Sequence, residues 1–245
     1  MLEAAFWGFV GGASLLIGAL VGVYVRVSRR VISWVMALGA GVLISSVAFE
    51  LMDEAYKTGG FDAASLGLLA GAVAFFLADR AVNRSGGHRR KNSGEKQGGS
   101  ASAIAIGALM DGIPESAAIG VSLLGGGEIS GEISVALVAA VFLSNVPEGL
   151  SSASGMKRAG KSTRHILALW ATVTIVSAIA ALLGYLFLDG ASENFVAAIQ
   201  AFAAGAILTM LASTMMPEAY EEGGEVIGLV TTVGFLLAFI LSRLE

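Results

Sequence analysis

Two stretches, Asp111-Gly112-Ile113-Pro114-Glu115-Ser116 and Ser144-Asn145-Val146-Pro147-Glu148-Gly149, decide how this chain is read. Each lies near the middle of an apolar segment long enough to cross a bilayer. In each, a proline is followed at once by a glutamate, and a polar residue stands four positions before that glutamate. The chain has three prolines in all, so two of them fall here. Carboxylates and helix breakers at mid-membrane depth are costly, and an arrangement met twice calls for a function.

Composition sets the class around them. Of 245 residues 56% are apolar and 14% charged, and the mean hydropathy is +0.79. A soluble domain of that size needs far more polar surface, so an all-α integral membrane protein is expected. Apolar runs and their polar breaks predict eight transmembrane helices, near Ala4–Val25, Val31–Met52, Asp62–Val82, Ala101–Leu124, Glu132–Met156, His165–Leu188, Asn194–Met216 and Val226–Leu241. They form one transmembrane domain over residues 1–245. The first run lacks the basic start and cleavage pattern of a signal peptide and is read as a mature helix. The absence of cysteine excludes disulfides and thiolate metal ligands. The lipid bilayer is the expected surrounding, and no nucleic-acid partner is expected.

Lys and Arg fix the expected orientation. Thirteen of the 15 basic residues fall after the first, third and fifth spans, with Lys57 and Arg243 alone on the other side. The positive-inside rule then places those loops in the cytoplasm and both termini outside, in a multi-pass protein of the cytoplasmic membrane. The longest connection, about 83–100, is Gly/Ser-rich and basic, and is expected to be a flexible cytoplasmic loop.

The chain also repeats itself. Ala37–Gly60 and Ala201–Gly224 match at 10 of 24 positions without a gap, including Met52/Met216, Glu54/Glu218, Ala55/Ala219 and Tyr56/Tyr220. These fall in spans two and seven, which run in opposite directions. The first three spans are therefore expected to mirror the last three around the central pair four and five. Inverted repeats around broken midplane helices are a transporter architecture, with one half of the repeat expected to shift against the other.

The central pair carries the chemistry. Asp111 and Glu115 share a helix face, as do Ser144 and Glu148, with Asn145 close by. Pro114 and Pro147 free the carbonyls of Met110 and Leu143. No Lys or Arg lies at middle depth, and an ionised acid at the centre costs about 2.5–3.5 kcal/mol on insertion scales. The carboxylates must be protonated, hydrated or occupied by a cation, and such an oxygen-rich cluster suits a divalent metal.

These two stretches resemble the fourth and fifth helices of the ZIP (Zrt/Irt-like) metal transporters, which typically read His-Asn-x-Pro-Glu-Gly. The resemblance extends over essentially the whole chain. It implies a transporter rather than an enzyme, moving divalent metal ions toward the cytoplasm with no resident cofactor, and a homodimer. It also implies a metal site made of Asp111, Glu115, Ser144, Asn145 and Glu148. The chain departs from the pattern. Asp111 and Ser144 replace both motif histidines, Gly112 stands where a ligating Asn is common, and Ser177 falls at or near the place of a sixth-helix glutamate. An all-oxygen site shifts preference from zinc toward harder ions such as manganese or iron. Two other readings use the same residues: a metal sensor that no longer transports, and a metal-dependent membrane enzyme. The second would usually want an Arg for phosphate beside the metal, and none lies near the motifs.

Overall fold

The computed structural model describes residues 2–82, 84, 101–124 and 135–243, without the side chains of 101–111 and 135–136. The loop expected at 83–100 lies outside the described residues, apart from position 84. All regular elements among the described residues are helical. In chain order they are α1 (Leu2–Tyr24), α2 (Arg29–Ser46), a π-helical segment (Val47–Met52) and α3 (Asp53–Val82). Next come α4 (Ala101–Ser122), α5 (Val135–Arg158), α6 (Thr163–Leu188) and α7 (Glu193–Met210). A second π-helical segment (Leu211–Met215), α8 (Met216–Gly223) and α9 (Val226–Ser242) complete the chain.

Four helical stretches among the described residues are long and apolar enough to cross a membrane: Leu2–Tyr24, Arg29–Val82, Thr163–Leu188 and Glu193–Gly223. The second runs for 54 residues and is divided by Gly60, so it holds two helices end to end. α9 is apolar but shorter, at 17 residues. Starts are set by polar caps: the hydroxyls of Ser28 and Ser162 accept from the backbone N–H of Val31 and His165 at the heads of α2 and α6.

One boundary differs from the sequence reading. A break was expected between Met52 and Asp62, yet helix continues to Gly59 and only Gly60 leaves it, at φ 71° and ψ −173°. Asp53 and Lys57, four apart and 2.6 Å between charged atoms, hold that polar turn helical. The sequence copy behaves alike. Gly224 ends α8 at φ 69° and ψ −157°, and the two π-helical segments begin at the matching positions Val47 and Leu211.

Packing sorts the helices into two groups. In one, α2 lies against α9 and α3 against α7. Gly41 meets the Thr231 carbonyl and Gly234 that of Leu38; likewise Gly205 meets the Leu68 carbonyl and Gly71 that of Phe202. Side chains at these positions would collide with backbone, so the glycines set how closely the helices approach. In the other group α1 packs on α5 and α6, and α4 on α6. There Gly18 meets the Val146 carbonyl, Gly149 that of Leu15, and Gly120 that of Ala181. The groups touch where α2 crosses α5 and where α4 crosses α7. α2 and α3 find their closest partners in α9 and α7, so the first and last thirds of the chain interlock.

Candidate metal site

α4 and α5 touch each other, and both pack on α1. The pairs Gly18–Val146 and Gly22–Leu150 make α1 and α5 parallel, while Gly8–Ala181 and Gly12–Ser177 make α1 and α6 antiparallel. α4 runs with α6, through Gly112–Ser177 and Gly184–Ala117, and is therefore antiparallel to α5. At Gly11 of α1 the two meet, since a Cβ there would lie 3.2 Å from Ile119 and 3.3 Å from Val141. One helical turn further from that layer comes Glu115 on α4, at the depth of Ser144 and Asn145 on α5. A further turn brings Gly112 and the backbone of Asp111 on α4 to the depth of Glu148 on α5.

Glu115 is fully buried, Glu148 is 6% exposed, and Ser144 and Asn145 are equally enclosed. From Gln97 to Met156 the sequence contains no Lys, Arg or His. Both prolines sit inside their helices. The Asp111 side chain lies outside the described residues. Among those described, no three His, Cys, Asp or Glu side chains gather into a metal-binding group.

The neutral members are held with their acceptors to spare. Ser144 Oγ donates to the Val141 carbonyl at 3.0 Å, and Asn145 Nδ2 donates to the Gly11 carbonyl of α1 at 3.3 Å. Each side chain gives a donor to the backbone, and the Ser144 hydroxyl lone pairs and the Asn145 carbonyl oxygen are the groups able to take a cation. The Leu143 carbonyl freed by Pro147 lies against Gly39 of α2, 3.1 Å from where a Cβ would stand. Ser177 of α6 is buried between Gly12 and Gly112.

Several partners were not read from sequence. Ser116, Ser151 and Ser152 are buried on the site helices. The last two follow Glu148 by three and four residues, a spacing that could have marked them. The roles of Gly11 and Gly39 had no local signal, because they come from helices more than 100 residues away in sequence.

Two acids at helix ends have partners within the chain. Glu222 pairs with Arg29 at 3.0 Å. Burial lowers the Arg158 pKa, and Arg29 lowers it further while Glu222 opposes. At the other end Glu54 accepts from Gln200 Nε2 at 3.2 Å. Burial raises the Glu54 pKa, the Gln200 bond and Lys57 oppose this, and Asp53 adds to it.

No family model matches this chain. Over 189 residues it is 27% identical to an Arabidopsis thaliana protein described as "Putative zinc transporter", a match covering 76% of this chain. The match spans only 29% of the relative's own length.

Proposed function

We propose that this protein is a ZIP-type transporter that carries divalent metal ions across the cytoplasmic membrane toward the cytoplasm. In this reading eight helices span the bilayer, with an inverted repeat around α4 and α5 and both termini outside. The observation that carries it is the burial of Glu115 and Glu148, at the depth of Ser144 and Asn145, on two antiparallel helices with no basic residue between Gln97 and Met156. Carboxylates kept in such a place are stabilised by a cation that enters and leaves. The matched π-helical segments and the matched Gly60 and Gly224 support the repeat. The likeness to the Arabidopsis protein supports metal as cargo.

The ligands proposed are Asp111, Glu115, Ser144, Asn145 and Glu148. With oxygen donors alone, the site favours manganese or iron over zinc. Metal displaces protons as it binds, so affinity falls as pH drops. The packing supports a motion in which α1, α4, α5 and α6 travel together against α2, α3, α7, α8 and α9.

The test is flux into proteoliposomes holding a metal-sensitive dye, run with Zn²⁺, Mn²⁺, Fe²⁺ and Cd²⁺. Glu115→Gln and Glu148→Gln are each expected to abolish uptake while the protein still inserts. Uptake at the wild-type rate in either variant refutes the assignment. Binding of metal without flux in the wild type would instead favour the sensor reading.

A further inference from the structure

No candidate ligand lies on α2, yet α2 forms a wall of the site through Gly39. A Cβ at Gly39 would stand 2.8 Å from Ser144 Cα, 3.1 Å from Ser144 N and 3.1 Å from the Leu143 carbonyl oxygen. All three are backbone atoms, so no rotamer change could relieve the crowding. The other close glycine approaches to backbone join helices of the same group, as Gly41 does to Thr231 and Gly18 to Val146. Among the glycine contacts between described residues, Gly39 makes the one that crosses from one group to the other. It does so at Ser144, the first position of the α5 motif. The sequence repeat puts Ala203, again small and buried, at the matching place on α7, the helix that α4 crosses.

We propose that Gly39 is a positioning residue for transport, its bare backbone being the surface along which α5 carries Ser144, Asn145 and Glu148 past α2. A side chain at this point keys into α5 between Leu143 and Ser144 and holds the site in one register. Cation binding needs only the ligands and survives; passage needs the two helices to slide and does not. A glycine buried inside one group, such as Gly41, sets how the helices assemble and has no such selective effect. This rests on the transport reading above and deepens it.

The experiment compares Gly39→Ala and Gly39→Val with Gly41→Ala and Gly228→Ala in the full chain. Gly228 is a helical control, since a Cβ there meets nothing within 4 Å. Equilibrium Mn²⁺ binding is measured on purified protein, and initial Mn²⁺ flux in proteoliposomes. Gly39→Val is expected to keep wild-type binding and half-saturation while maximal flux drops about tenfold or more, the split of a step slowed after binding. Gly39→Ala should fall between it and wild type. Gly41→Ala should lower the yield of folded protein, and what folds should transport. Gly228→Ala should change neither quantity. Wild-type flux in Gly39→Val, or loss of binding in proportion to flux, overturns the proposal. Should Gly39→Val not fold, the same pair of measurements on Gly39→Ala decides. A wild-type protein that carries no cation sinks the transport reading and this proposal with it, a failure visible before any variant is made.

Discussion

Asn145 shows how a single side chain can serve two neighbours. Its amide nitrogen donates to the Gly11 carbonyl of α1 at 3.3 Å, and its oxygen remains for a ligand. Asn145→Asp replaces that donor with an acceptor facing a carbonyl, in a buried place. The expected loss is about 1–3 kcal/mol, seen as a lower midpoint of thermal unfolding in detergent. Asn145→Ser, with a hydroxyl still able to donate, should lose less. Glu54 gives a prediction with the opposite sign. Its pKa is raised chiefly by burial, so the folded state binds its proton more tightly than the unfolded chain does. Any stabilisation from this group is complete below the ordinary glutamate pKa and is lost as pH rises through the higher folded value. Glu54→Gln should therefore raise thermal stability at neutral pH. The gain should vanish in acid, where the native residue is itself protonated. A pH series of unfolding midpoints for the two proteins checks this.

At the scale of elements, the helices and their polar interruptions were legible from apolar runs and from the Pro-Glu stretches. So was the kinship of Ala37–Gly60 with Ala201–Gly224. The π-helical segments were not, because an extra residue in a turn leaves no mark in hydropathy. Nor was the helical run through Asp53–Gly59, whose polar residues look like a loop until the Asp53–Lys57 pair is seen. Gly60 occupies a conformation that essentially glycine alone adopts, at φ 71° and ψ −173°. Gly60→Ala and Gly60→Asn are both expected to cost about 1–3 kcal/mol. Asparagine offers no rescue here, because ψ lies far from the left-handed helical region it tolerates. Gly224→Ala should cost a similar amount, for the same reason. Equilibrium unfolding of the three variants measures the difference.

For the molecule as a whole, the sequence named the candidate ligands but not their enclosure. Residue types at a fixed spacing reveal which groups share a helix face. Which helices close around that face depends on glycines such as Gly11, Gly39 and Gly149, whose partners lie far along the chain. The proposed orientation can be checked cleanly, since the chain has no cysteine of its own. A single Thr58→Cys is expected to react with an impermeant thiol reagent from outside the cell. Lys161→Cys should react only after the membrane is opened. Labelling of Lys161→Cys in intact cells would reverse the topology.

The interlocked helices bear on how the protein is made. α2 rests on α9 and α3 on α7, so the surfaces opened by Gly41 and Gly71 have no partner while the ribosome is still producing the middle of the chain. The early helices must wait in the lipid for the last one to arrive, and that wait is when they are exposed to quality-control proteases. A chain that stops before Val226 is expected to be degraded soon after synthesis, and supplying the missing C-terminal helix as a separate polypeptide should prolong its life.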